Sequence, residues 1–334
     1  MKKNTIIAER SGGRLLVSKQ YHLVCSLACV LVIAVLTGCD QQKTREIDLR
    51  ERIQDAELVM IEPENKGGIL LFGFDLRGSP DEDAMQYLPF LKYLEEATGL
   101  SFELRFTPKG KLIEYELGTG KIQFAALGVG SYLQAHARYG VIPLVRGLNA
   151  EGMAEYQSVI FVAPDSPIRN IEELRGKRIA FGRVSSTQGH IIPRIILSEH
   201  GITLDDLLGY EYTGSHYNCV NSVATGRFDA GGIQDLLGRR LADEGLVRII
   251  YTSEPYPSSG IAANKDVSPE VIEKVKRALL DFKPAGAHSE DLYHWERTEM
   301  VNGFIEAHDE DYAILREWSI KLGMLDVPAG KNAP

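Results

Sequence analysis

Between residues 68 and 252 the chain alternates repeatedly between short apolar runs and stretches with helical spacing. Residues 68–74, 101–106 and 123–127 read as strands. Ser79, Pro80 and Glu82 open a helix as cap, first-turn proline and capping-box partner, and Gly99 ends it. Ala84, Leu88, Leu91 and Leu94 are its expected buried side, with Pro89 bending it. A second helix is expected over 111–117, and Gly128-Val129-Gly130 leads into a third over 131–139. The pattern restarts after an apolar run at 141–146. Strands are expected at 157–163, 178–181, 209–213, 228–233 and 247–252, and helices at 171–174, 191–200, 215–226 and 236–243. Repeated β–α units imply parallel sheets with helices on both faces. A strand at 260–263 can return to the first lobe, and Ser268-Pro269-Glu270 opens a further helix to Phe282. The expected architecture is therefore α/β and bilobal: two parallel-sheet lobes joined by a hinge, 67–155 with 260–334 and 156–259. The cleft lies where strand ends meet, and ligands of such sheets bind beyond the carboxyl ends of the strands.

One turn at such an end stands out. Arg178–Phe181 runs as a strand into Gly182-Arg183-Val184-Ser185-Ser186-Thr187-Gln188-Gly189, and Ile191, Ile192, Ile195 and Ile196 then mark one face of a helix. Three consecutive hydroxyl residues precede a helix start, where backbone N–H groups lack partners and the helix dipole is positive. Locally this reads as an ordinary N-cap or as a cradle for an oxyanion.

The first 38 residues carry a different message. Lys2, Lys3, Arg10, Arg14 and Lys19 precede an apolar run from about Leu23 to Leu36, too short to favour a spanning helix, which reads as a secretory signal. Leu36-Thr37-Gly38-Cys39 looks like a bacterial lipobox, with cleavage before Cys39 and lipid on its thiol. Residues 39–66 then form a polar linker from the membrane, and by resemblance to Gram-negative lipoproteins Asp40 after the lipidated cysteine favours retention at the periplasmic side of the inner membrane. Residues 1–38 hold five basic residues and one acidic one, so their loss takes the formal net charge from −9 to −13. An acidic chain disfavours nucleic acid, and it needs local donors to hold an anion. Cys25 and Cys29 leave with the signal and Cys39 carries lipid, so Cys219 is alone in the mature fold and no internal disulfide is expected. No cysteine–histidine spacing suggests a metal, and no cofactor is expected.

Five pieces in one order and spacing resemble a known family: Tyr156-Gln157-Ser158-Val159-Ile160, residues 171–178, Ser186-Thr187-Gln188-Gly189 with Pro193, Thr213-Gly214-Ser215-His216, and Phe228-Asp229-Ala230-Gly231. Together they look like the phosphate, phosphite and phosphonate substrate-binding proteins of bacterial ABC importers, over residues 68–282. The resemblance implies a periplasmic-binding-protein fold of type II, a transporter permease as partner, and a small phosphorus oxyanion as ligand. It implies that Ser186 and Thr187 offer hydroxyl and backbone donors, Tyr156 its phenol and His216 an imidazole nitrogen. Gln188 stands where the family often has a third hydroxyl, so its backbone N–H is the expected contact. Lys109 lies where some members place an aromatic residue beside the ligand. Ser259 lies near where aminoalkylphosphonate binders place a carboxylate. A serine cannot neutralise a buried ammonium, which points to a ligand without an amine, such as phosphite or a simple alkylphosphonate.

Two other readings are weighed. Ser186, His216 and Asp229 can be imagined as a hydrolase triad, but there is no G-x-S-x-G elbow and Asp229 begins a strand-like run. A receptor that signals to a membrane sensor kinase would share the fold and the site. The reading preferred is a binding protein with no catalytic residues, closing two lobes about an anion by a hinge near 154–157 and 258–262.

Overall fold

Strand β1 (Ile69–Phe74) leads into the first of eight helices among the described residues, α1 (Pro80–Thr98), in the computed structural model, which describes residues 68–75, 80–108 and 110–325. The expectations placed on residues 1–67, including the lipid-bearing Cys39, and on Ser79 and Lys109 lie outside the described residues. The order continues with β2 (Ser101–Leu104), α2 (Ile113–Gly118), β3 (Phe124–Leu127), α3 (Val129–Tyr139) and β4 (Ile142–Gly147). Next come β5 (Glu155–Tyr156), β6 (Ser158–Val162), β7 (Arg178–Phe181), α4 (Ile192–Glu199), β8 (Gly209–Tyr212), α5 (His216–Ala224), β9 (Ala230–Gln234) and α6 (Asp235–Asp243). The chain closes with β10 (Arg248–Thr252), β11 (Tyr256–Pro257), β12 (Gly260–Ala263), α7 (Pro269–Asp281), β13 (Phe304–Glu306) and α8 (Ala313–Lys321).

The strands form two main sheets, so the molecule is α/β and bilobal as expected. One sheet has the order β13-β4-β12-β3-β1-β2 and the other β10-β6-β9-β7-β8. Both are mixed rather than parallel, which corrects the sequence expectation. β1 pairs in parallel with β2 and β3, and β7 with β8 and β9, but β12 runs antiparallel to both β3 and β4, and β6 antiparallel to β9 and β10. The reason is connectivity: β6 and β12 follow crossings between the sheets and enter from the opposite end. The returning strand β12 sits inside the first sheet, between β3 and β4. There a Cβ on Gly260 would lie 2.0 Å from the Val145 carbonyl oxygen, so only glycine fits.

Burial explains where each element lies. β3 and β6 are buried along their whole length, as strands covered on both faces must be. On α1 the inward residues are Tyr87, Phe90, Leu91 and Leu94, whereas Leu88, expected inside, is 54% exposed. The aromatic rings decide this face: Phe90 stacks on Trp295 and meets Phe72 and Phe282 edge-on, at centroid distances of 5.2, 5.9 and 5.2 Å. Three short strands had no sequence signal. β5 and β11 pair antiparallel, Tyr156 opposite Tyr256, where the chain passes between the two sheets. β13 adds an edge strand to β4. Among the described residues no helix is long and apolar enough to cross a membrane.

Candidate functional site

The carboxyl ends of β1, β3, β7, β8 and β9 converge on one cavity with about 550 Å³ of space not filled by atoms, part of it open to solvent. Asp75 and Gly128 come to it from the first sheet. Arg183, Ser185–Gln188, His216 and Gln234 come from the second, and Tyr156, Ser259 and Glu299 complete the wall. Six of the seven residues expected to touch ligand therefore meet in one place: Tyr156, Ser186, Thr187, Gln188, His216 and Ser259. Lys109, the seventh, lies outside the described residues.

The hydroxyl turn is built as the sequence suggested and then goes further. Ser186 is the N-cap of a single π-helical turn, Thr187–Ile191, and its Oγ accepts the Gly189 N–H at 3.0 Å. The wide turn is closed by Ile191 N–H donating to the Ser186 carbonyl at 3.0 Å. Such one-turn π segments interrupt a helix start and re-aim its first residues. Gly182 N–H donates to the Gly189 carbonyl at 2.8 Å, which pins the loop's two ends together.

Beneath the loop, His190 is buried and fixes its outer arm. Its Nδ1 lies 2.7 Å from the Val184 carbonyl, an acceptor only, so Nδ1 carries the hydrogen and Nε2 accepts from the Tyr212 hydroxyl at 3.2 Å. Burial pushes the His190 imidazole down to about 4, so the ring is neutral at physiological pH and this tautomer is stable.

Thr187 reaches across the cavity. Its Oγ1 accepts the Gly130 N–H at 2.9 Å, and Ser131 Oγ donates to Ser185 Oγ at 3.3 Å. The lobes touch closely here, because a Cβ on Gly130 would lie 2.1 Å from the Ser185 carbonyl oxygen. Gln188 is tied back into its own wall. Its Nε2 donates to the Gln157 carbonyl at 2.8 Å and to Asp235 Oδ1 at 3.3 Å, which uses both amide hydrogens. Its backbone carbonyl accepts from Ser158 Oγ at 2.6 Å. Ser215 caps α5, accepting from Asn218 N–H at 3.1 Å, and sets His216 at the first helical position. Ser259 is buried, with its carbonyl accepting from Gly147 N–H at 2.9 Å.

Three charged residues of the wall were missed in the sequence. Asp75 follows β1 directly, and its Oδ2 accepts the Gly128 N–H at 3.0 Å while its Oδ1 lies 3.0 Å from Arg183 Nη2. Asp75 had a signal: it is the first polar residue at the carboxyl end of an apolar strand. Arg183 sat inside the hydroxyl stretch without being assigned. Glu299 comes from an irregular segment ahead of β13, where no periodicity could have found it. Its Oε1 accepts from Gln234 Nε2 at 3.1 Å. Asp235 nearby has its carboxyl pushed above the usual range, by burial first and then by the Glu299 charge. These carboxylates put negative charge in the wall that Ser259 itself does not supply.

The imagined triad is not assembled. Asp229 lies ahead of β9, where its Oδ2 accepts the Arg178 N–H at 2.7 Å and pairs with Arg178 Nε at 3.4 Å. Gln234, which lines the cavity, ends the same strand roughly 16 Å away at 3.3 Å per residue. Among the described residues no cluster of histidine, cysteine and carboxylate side chains fits a metal ion.

Comparison with known proteins finds relatives in sequence and in fold. A family model described as the periplasmic substrate-binding protein of a phosphonate ABC transporter matches residues 72–312. The "Phosphate-import protein PhnD" of Mycolicibacterium smegmatis is 26% identical over 274 residues, covering 77% of this chain and 80% of that protein. The "Phosphonates-binding periplasmic protein" of Escherichia coli is 27% identical over 224 residues, 64% of each chain. Among solved structures, PhnD1 of Prochlorococcus marinus in complex with methylphosphonate superposes with a TM-score of 0.68 at 18% identity, covering 77% of this chain and 99% of that one.

Proposed function

This chain belongs to the periplasmic substrate-binding proteins of phosphonate ABC transporters, and from that premise we propose that it captures a small phosphorus oxyanion in the interlobe cavity. The family is a transporter component and not an enzyme. The ligand is phosphite, an alkylphosphonate or phosphate. The Ser186 and Thr187 hydroxyls and the Thr187 backbone N–H, with Tyr156 and His216, supply the donors, the Ser186 N–H being spent on the Arg183 carbonyl. Gln188 contributes through its backbone, its side chain being engaged elsewhere.

One observation carries this reading: a hydroxyl turn and the starts of α3 and α5 converge from two sheets on one pocket. Preorganised dipoles of that kind hold an oxyanion without reorganising when it arrives. Arg183 adds the local positive charge that an acidic chain otherwise lacks. Lobes 67–155 with 260–334 and 156–259 close on the ligand about the paired crossings β5 and β11. Lipid on Cys39 holds the protein at the periplasmic face of the inner membrane, beside the permease that receives the ligand.

Titration calorimetry of the chain with methylphosphonate, phosphite and inorganic phosphate tests this. The expected result is one ligand per chain, recovered unchanged. Absence of binding by all three, or conversion of any of them, would refute it. Membrane fractionation tests the anchor: Cys39→Ser should move the protein to the soluble fraction, and an unchanged membrane pool would remove lipidation from the account.

A further inference from the structure

An anion site walled by a carboxylate poses a chemical question. A carboxylate only accepts hydrogen bonds, so it repels a fully ionised ligand and welcomes only a group that brings a hydrogen. We propose that Asp75 makes the cavity selective for oxyanions that retain an acidic hydroxyl, its Oδ1 accepting the hydrogen bond of that P–OH. The inference rests on the phosphorus-oxyanion reading of the cavity, and extends it to the ionic form bound and the class of anion refused.

Four observations support it. Asp75 is 4% exposed and lines the cavity. Its Oδ2 is occupied by the Gly128 N–H, whereas its buried Oδ1 has no hydrogen bond among the described residues. Arg183 Nη2, 3.0 Å from Oδ1, balances the charge without filling the acceptor positions, of which an ionised carboxylate has about four. Finally, the ion pair joins the end of β1 to the loop after β7, so Asp75 is held in place from both lobes.

Among the described residues the other charged groups around Asp75 are few. Glu114 of α2 lies beside it, and Glu114, Arg138 and Lys111 line a second hollow that the Asp75–Arg183 pair also borders. Burial holds the Glu114 carboxyl above the usual range, with the Asp75 charge adding to it. Across the ligand cavity stand His216 and Glu299.

The chemistry sorts anions cleanly. Phosphorus oxyacids lose their second proton near neutrality, at about pH 6 for a phosphate monoester, so the singly protonated form is abundant. Sulfate and sulfonates carry no proton at that pH. An acceptor in the wall therefore admits the first class and opposes the second.

The test is titration calorimetry of the detergent-solubilised full chain with methylphosphonate and with sulfate, from about pH 5.5 to about pH 8.5, bracketing the second ionisation. Wild-type affinity for methylphosphonate should fall close to tenfold per pH unit above the ligand's second ionisation, and sulfate should not bind. Asp75→Asn, which offers an N–H at the same place, should flatten that slope and admit sulfate. If the slope persists in Asp75→Asn, the assignment to Asp75 is overturned, with the oxyanion site itself intact. A flat wild-type profile, or wild-type binding of sulfate as tight as methylphosphonate, overturns it equally, and needs no folded variant. Wild type that binds methylphosphonate at no pH defeats both this inference and the reading beneath it.

Discussion

Thr187 Oγ1 accepts the backbone N–H of Gly130 at 2.9 Å, so a side chain from one lobe caps a helix of the other. Gly128, the N-cap of α3, has no side chain to do this, and the orphan donor falls to the facing loop. The Thr187 hydroxyl accepts once and keeps its own hydrogen, which is the part that remains to donate to a ligand. Under the proposed function, one residue links closure of the lobes to anion binding.

Thr187→Ala should therefore act twice. Loss of the cap should cost about 1 kcal/mol in urea unfolding. Loss of the donor should weaken methylphosphonate binding roughly tenfold, as expected for about 1.4 kcal/mol in one hydrogen bond to an anion. Thr187→Ser should recover most of both. A variant that binds as wild type would remove Thr187 from the site.

Gly130→Ala tests closure without touching a ligand donor. Its Cβ would meet the Ser185 carbonyl at 2.1 Å, and backbone on both sides leaves little to yield. The lobes should stay apart, with the radius of gyration in solution scattering unmoved by methylphosphonate and affinity down by at least about tenfold, or 1.4 kcal/mol. Compaction on ligand addition, equal to wild type, would show that the contact at Gly130 is dispensable.

His190 should give the fold an acid limb. Its imidazole titrates at about 4 when folded against an ordinary 6.5, so the unfolded chain binds the extra proton between those values. Stability is therefore complete above about pH 6.5 and lost as pH falls toward 4, by about 3 kcal/mol in all. Urea unfolding across that range should show the decline, and His190→Gln should shrink it. A variant with the same acid limb would place the effect on other groups.

Asp229 should matter to the fold alone. Asp229→Asn weakens acceptance of the Arg178 N–H and should cost about 1 to 2 kcal/mol, with methylphosphonate affinity unchanged within about twofold. A large loss of binding would contradict its placement at the far end of β9.

Much of the fold was legible, because alternating apolar runs and helical spacing are local properties of the chain. The strand Arg178–Phe181 and the cap at Ser215 appear as the sequence indicated. Strand direction was not legible: β6 and β12 look like any buried strand, and only their entry from the other sheet turns them antiparallel. Leu88 fits a helical stripe but lies outside, since the rings of Tyr87 and Phe90 claim the inner face. At the site, the hydroxyl turn at Ser186 and Thr187 had a local signature, whereas His216 was expected only from the family resemblance. Arg183 and Asp75 gain meaning only as a pair, formed between residues far apart in the chain. Glu299 arrives from an irregular segment, where residue type alone carries no spacing.

The central claim is that a phosphorus oxyanion sits between the lobes, held by hydrogen bonds. A crystal structure of the chain grown with methylphosphonate tests it most directly. The account predicts phosphorus density in the cavity bounded by Ser186, Thr187 and His216, with ligand oxygens in hydrogen-bond reach of all three. Methylphosphonate bound elsewhere while that cavity holds only water would contradict it.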